Sequence, residues 1–158
     1  MATIVRRLPS ASVTRPADTT AYASGDLIAN STTAGSVVAM TFSPVTKGSG
    51  RSAQIRRVRI SKTGTSVTNA AVRLHLYTTS SITAANGDNA AWSTDKAANY
   101  VGSVDVTIDK AMTDGACGNA TCELNVNNLS LYGLLEARGA YTPASAEVFT
   151  VTLESAED

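Results

Sequence analysis

The sequence predicts an all-β chain folded as an antiparallel β-sandwich, jelly-roll-like, with an extended N-terminal arm. Three observations predict it. Apolar and polar residues alternate along several short runs, no apolar stripe of helical period persists over three turns, and clusters of turn-forming residues separate the runs. Thr and Ser are abundant, whereas charged residues make up only 16% of the 158, a bias toward strands and turns over solvated helices. At this length, and with 43% hydrophobic residues, one core can form without staples, and two domains are not expected. The expected organisation is an arm over residues 1–12 and a single sandwich domain over 13–158.

Each element has its own local reason. Pro16 after Arg15 holds the chain leaving the arm extended. From Ser36 to Phe42, Val38, Met40 and Phe42 share one face, and Ser43-Pro44 ends the run. Between Ala53 and Lys62, Ile55 lies in one phase and Val58 and Ile60 in the other. Keeping all three inward requires an extra residue, so a β-bulge is expected near Arg56-Arg57, aiming arginines outward. Val72, Leu74 and Leu76 alternate with Arg73, His75 and Tyr77, which are expected to face solvent or a partner. Residues 80–99 read as a long connection around Trp92 with a helical turn near Asp95–Ala98, as crossings between jelly-roll sheets require. Val104, Val106 and Ile108 alternate with Asp105, Thr107 and Asp109, and Phe149, Val151 and Leu153 alternate with threonines. The leucines at 129, 131, 134 and 135 slip phase around Gly133, where glycine would absorb a bend.

Thirteen Lys+Arg balance thirteen Asp+Glu, but not uniformly along the chain. Up to Arg73 there are ten cations against Asp18 and Asp26; beyond it, three cations face eleven acids. Either early strands neutralise late ones across the sheets, or the surface carries two signs suited to docking on copies of itself or on another patterned protein. Neutrality disfavours nucleic acid as a partner, no apolar run approaches the ~20 residues a bilayer span needs, and the N-terminus lacks an apolar stretch of secretory length. Synthesis and retention in a cytoplasm are expected.

No constellation for catalysis is expected. The single histidine, His75, sits in the polar phase of a strand, and Asp105 and Asp109 stand about 13 Å apart by strand rise, beyond the usual spacing of a glycosidase pair. No phosphate or dinucleotide loop appears, so neither enzyme activity nor a cofactor or metal is predicted. Cys117-Gly-Asn-Ala-Thr-Cys122 has two readings, a local disulfide closing a small loop or two free thiols.

Three stretches carry a resemblance. They are Val13-Thr-Arg-Pro-Ala-Asp-Thr-Thr-Ala-Tyr22 with Gly25-Asp26-Leu27-Ile28, Asn86-Gly-Asp-Asn-Ala-Ala-Trp92 with Tyr100-Val-Gly-Ser-Val104, and Leu134–Ser145 running into Phe149-Thr-Val-Thr-Leu153. Together they resemble a family of small proteins encoded near the head genes of tailed bacteriophages. The resemblance implies a head cement or decoration protein, made in the host cytoplasm and resident on the capsid exterior of the virion. Its partners would be the major capsid protein and itself, as a homodimer or homotrimer. Bridging capsid subunits requires a rigid body, a reach across a seam and matched charge. The residues expected to supply these are Arg6, Arg7 and Arg15 on the arm, with Ile4, Val5 and Leu8 as apolar anchors, and Arg56, Arg57 and Arg59 on the body. The competing reading is a tail-fibre or baseplate module gripping carbohydrate, through Trp92 near Asp88 and Asp95 or through Tyr77 beside His75.

Overall fold

The computed structural model describes residues 3–157. Eleven strands form two antiparallel sheets: β1 (Val5–Arg7), β2 (Ser10–Thr14), β3 (Leu27–Ile28), β4 (Met40–Phe42), β5 (Ala53–Lys62), β6 (Ala71–Tyr77), β7 (Tyr100–Thr107), β8 (Lys110–Met112), β9 (Gly115–Val126), β10 (Leu131–Ala137) and β11 (Val148–Glu157). The larger sheet runs β1-β11-β5-β9-β8, with β2 also on β11; the smaller runs β3-β10-β6-β7, with β4 also on β10. β1 and β2 are two halves of one edge strand, as are β3 and β4, and β8 is a short hairpin strand on the edge of β9, outside the main eight. Counted so, eight strands are ordered 1-8-3-6 and 2-7-4-5, the jelly-roll arrangement that the turn and strand pattern predicts.

The main core lies between the sheets. Ile55, Val58 and Ile60 of β5 face Val72, Leu74 and Leu76 of β6, closed by Val104, Val106, Leu131, Leu135, Phe149, Val151 and Leu153. Each such side chain contributes roughly 1.5–3 kcal/mol on burial. The expected bulge is present. On β11, Glu154 and Ser155 are adjacent, yet they pair with Arg57 and Ile55, so Arg56 is the extra residue. That extra residue lets Ile55 and Val58 both point inward.

A second, smaller apolar layer covers the outside of the smaller sheet. Leu27, Ala29, Ala84 and Leu134 are buried there, with Val37, Ala39, Ile82 and Trp92 packed against them. This layer corrects two expectations. His75 and Tyr77 do not face solvent, because the 80–99 connection folds over them. The leucine phase slip is not a bend, since β10 pairs with β6 in unbroken register from Tyr132 to Ala137. Leu131 and Leu135 serve the main core and Leu134 the second one. Gly133 is needed for closeness: a Cβ there would lie 2.9 Å from the Phe42 ring and 3.0 Å from Leu74. The run expected from Ser36 is a strand only over Met40–Phe42, with a 3₁₀ turn at Ala34–Ser36 and Val38 exposed.

The arm is also corrected. Met1 and Ala2 lie outside the described residues; the rest is extended but is an edge strand of the larger sheet. Val5, Arg6 and Arg7 pair with Glu157, Ala156 and Ser155, and Ser10–Thr14 pairs with Thr152–Val148. Pro9 interrupts the strand because it lacks an N–H, yet its carbonyl still accepts from Leu153 N at 3.0 Å. β2 also crosses the expected boundary at residue 12, so arm and body are one sheet. Of the two cysteine readings, free thiols are the one the strand geometry allows. Cys117 and Cys122 both lie within β9, an odd number of residues apart, so they point to opposite faces about 16 Å apart by strand rise. That separation cannot be bridged, and both thiols are free.

Candidate functional site

Two buried polar networks hold the three resembling stretches together. Arg15 was expected on the surface, but its parity matches Ala11 and Val13, and the residue is only 2% exposed. Its Nε donates to the Tyr22 hydroxyl at 2.8 Å, and Nη2 donates to Asp18 at 3.0 Å and Asp88 at 3.2 Å. Asp88 Oδ1 also accepts from the Tyr22 hydroxyl at 2.7 Å and from Ala29 N at 2.8 Å. Burial opposes the charge on Arg15, but the hydrogen bonds to Tyr22 and Asp18 outweigh it and raise the pKa above the ordinary value. Burial raises Asp88 and Tyr22 as well.

Beside this network, Lys62 donates to the Tyr141 hydroxyl and the Gly64 carbonyl, both at 2.8 Å, and to Glu147 at 3.1 Å. Tyr141 donates to Glu147 at 2.6 Å, and burial next to that carboxylate pushes its hydroxyl pKa up. The Tyr22 and Tyr141 rings lie parallel, 6.5 Å apart, so the two networks touch. Each buried cation is therefore matched with an anion and several acceptors, which is the condition under which a buried pair is tolerated. The parity of Lys62 with Val58 and Ile60, and of Glu147 with Phe149 and Val151, is the sequence signal for this second network.

The asymmetric charge along the chain is mostly consumed within it. Arg6 and Arg57 pair with Glu154, Arg51 with Glu157, Arg73 with Asp105, Arg15 with Asp88 and Lys62 with Glu147. Among the described residues, Arg7, Lys47, Arg56 and Arg59 are the cations that make no ion pair. Arg56 and Arg59 are both exposed, and both belong to β5, a central strand of the larger sheet.

The outer face of that sheet is the candidate docking surface. Outward side chains are mainly hydroxyls and amides: Ser10 and Ser12 on β2, Thr150 and Thr152 on β11, Asn119, Thr121 and Asn125 on β9. Cross-strand hydroxyl pairs, Ser12–Thr150 at 2.8 Å and Ser10–Thr152 at 3.1 Å, stiffen it. Hollows interrupt the face. One, of about 900 Å³, is lined by Arg51, Gln54, Arg56, Asn125 and Asn127. Another, of about 240 Å³, is lined by Arg59, Ser61, Lys110, Asn119, Thr150 and Thr152. Arg57, held by Glu154 at 2.6 Å, sits between Arg56 and Arg59 in sequence. Of the expected contact residues, the fold thus keeps Arg56 and Arg59 available, ties Arg57 and Arg6 to Glu154, and buries Arg15. Ile4 and Leu8 are exposed on the adjoining sheet edge, while Val5 and Arg7 are half-buried. The hollow-lining amides were missed because they come together only across strands.

The outer face of the smaller sheet carries the aromatic cluster. His75 stacks on Trp92 with ring centroids 3.9 Å apart; its Nε2 lies 2.6 Å from Glu136 and its Nδ1 3.0 Å from the Tyr100 hydroxyl. Burial lowers the His75 pKa and outweighs the pull of Glu136, so the neutral ring fits with Nε2–H donating to the carboxylate and Nδ1 accepting from Tyr100. Both ring nitrogens are thus occupied within the fold. Arg73 grips Asp105 with two bonds of 2.6 and 2.9 Å beside it. Among the described residues, no group of three or more His, Cys, Asp or Glu side chains is placed to hold a metal, and no helix is long and apolar enough to cross a membrane.

No family model and no curated protein matches this sequence. Among solved structures, the globular domain of zebrafish complement 1qA is similar at 12% identity and a TM-score of 0.32, covering 92% of this chain and 94% of that one. The K1 cleaved adhesin domain of Lys-gingipain from Porphyromonas gingivalis W83 is similar at 10% identity and a TM-score of 0.31, covering 99% of both chains. Desmodium yellow mottle tymovirus is similar at 9% identity and a TM-score of 0.27, covering 99% of this chain and 89% of that one. Likeness at this level carries no argument about what the chain does.

Proposed function

We propose that this chain is a structural virion protein that decorates the outside of a tailed-phage capsid and cements neighbouring major capsid subunits. The observation that carries the reading is the pair Arg56 and Arg59, left without ion pairs on a stiff sheet face in a chain that neutralises most of its other cations internally. A cement protein works by being rigid and repeated, and the two buried networks supply rigidity where loops meet strands. The resembling stretches support the reading further: Arg15 and Tyr22 come from the first, Asp88 from the second and Tyr141 from the third, and all meet in those networks. Because the N-terminal segment is part of the sheet, attachment is through the face and its edge, where Ile4 and Leu8 are exposed, and not through a free strap. The chain acts there as a homodimer or homotrimer, with no role for a cofactor, nucleic acid or membrane.

The test is stoichiometry. In purified particles the band of this chain should be comparable in molar amount to the major capsid protein. Intact heads lacking it, or carrying only a few copies at the tail, would refute the proposal.

One observation favours a second reading, a receptor- or glycan-binding module. Trp92, flat on His75, and Tyr100, 41% exposed, form an aromatic patch beside the Arg73–Asp105 pair. A glycan array, or a sugar titration followed by Trp92 fluorescence, separates the two; saturable quenching would favour the module.

A further inference from the structure

We infer that the hollow beside Arg56 is a groove for an extended, acidic peptide segment of a protein partner. The inference rests on the docking face proposed above and names the chemistry of what binds there. Four observations carry it. The bulge leaves Arg56 unpaired in the ladder with β11, and its side chain is exposed with no ion pair among the described residues. Glu123 stands across the bulge on β9 but makes no ion pair with it among the described residues.

Arg51, on the rim, has a half-exposed side chain whose Nε is anchored 3.2 Å from the buried Glu157 carboxylate. Glu157 also accepts from Lys47 N at 2.6 Å, which fixes the anchor. The rest of the guanidinium is left to donate outward, as a planar fork suited to a carboxylate.

Between the arginines stand three amides, Gln54, Asn125 and Asn127. Gln54 Nε2 and Asn125 Oδ1 meet only at 3.5 Å, a long hydrogen bond in an exposed position, so their donors and acceptors are open to exchange. Each amide offers one acceptor and two donors, the complement of a peptide backbone with one N–H and one C=O per residue. The hollow, at about 900 Å³, is roomy enough for several residues.

A nucleic-acid strand fits less well. The groove has no aromatic ring to stack a base, and the chain has no net charge to hold a polyanion. A carbohydrate lacks a stacking ring there for the same reason. Lined by two arginines and three amides, the groove suits alternating carboxylates on an extended backbone.

The test is fluorescence anisotropy of the full chain with a labelled octaglutamate peptide, with labelled oligo-dT of eight nucleotides as comparison. Saturable binding of the peptide should weaken at least tenfold in Arg56→Glu, recover largely in Arg56→Lys, and weaken in Asn127→Trp, which fills the groove without changing charge. Melting curves confirm that each variant is folded; Arg56 is exposed, so its replacements should melt with the parent. Peptide affinity unchanged by Arg56→Glu, or oligo-dT binding as tight as the peptide, would overturn the inference. Shells still bound by a parent chain that ignores the peptide would overturn it while leaving the docking face standing, whereas failure to bind shells would remove both.

Discussion

Removing the carboxylate of Asp88 measures how much of the fold depends on the Arg15 network. In Asp88→Ala the guanidinium of Arg15 stays buried but loses its fully buried anion at 3.2 Å, and the Tyr22 hydroxyl and Ala29 N–H lose their acceptor at 2.7 and 2.8 Å. Breaking a buried pair from one side costs about 3–5 kcal/mol. The lower end applies here, because Arg15 keeps Asp18 at 3.0 Å and the carbonyls of Pro16 and Asp18. A loss of about 3 kcal/mol is expected, or a fall of about 6–12 °C in Tm at the 2–4 °C per kcal/mol usual for a chain of this size. Urea denaturation followed by circular dichroism gives the number. Asp18→Ala, which removes the solvent-facing partner, should shift the midpoint far less. The double variant Arg15→Met, Asp88→Leu should recover much of the loss, since no unpaired charge remains. If Asp88→Ala lost under about 1 kcal/mol, the network would be ornamental and the rigidity ascribed to it unfounded.

Three further outcomes follow from particular contacts. Burial lowers the His75 pKa below its unfolded value near 6.5, so between those values the unfolded chain binds a proton that the folded chain does not. Stability should therefore be full above pH 6.5 and decline as the pH falls below it, by up to about 1.4 kcal/mol per pH unit, in urea titrations at pH 7.5, 6.5 and 5.5. His75→Gln should flatten that decline, and an unchanged decline would assign it elsewhere. Deleting residues 1–12 removes β1 and most of β2 from β11, so it should lower stability by more than about 2 kcal/mol and open β11 amides to hydrogen exchange; an unchanged midpoint would restore the free arm. Mass spectrometry after alkylation without reductant should find two free thiols, with Cys122 reacting slowly because burial raises its pKa, and a reductant should leave Tm unchanged.

How far the fold could be read in advance depended on whether an element's reason was local. β6, β7 and β11 alternate cleanly, and the bulge at Arg56 in β5 is visible because two in-phase aliphatics follow one out of phase. β9 is hard to see because its inward positions run Ala116, Gly118, Ala120 and Cys122 before Leu124 and Val126, so most of its length is too small to stand out as an apolar face. The close approach of β9 to residues 107 and 108 demands that smallness, since a Cβ on Gly118 would fall 2.0 Å from the Thr107 carbonyl. Arg15 was misplaced because counting charges along the chain ignores which face of a strand they occupy. Its acceptors, Tyr22 and Asp88, arrive from 7 and 73 residues away, and no local pattern announces them. The bulge that exposes Arg56 is legible in the sequence, but the difference between Arg57 and its neighbours Arg56 and Arg59 depends on Glu154, in register across the sheet.

If the larger sheet's outer face holds the chain on its partner, reversing the charge of Arg56 and Arg59 should release it. The variant Arg56→Glu, Arg59→Glu should melt within about 1 °C of the parent, because both side chains are exposed and unpaired among the described residues, and in co-sedimentation with purified shells it should leave most sites empty. Full occupancy by the folded variant would contradict the claim.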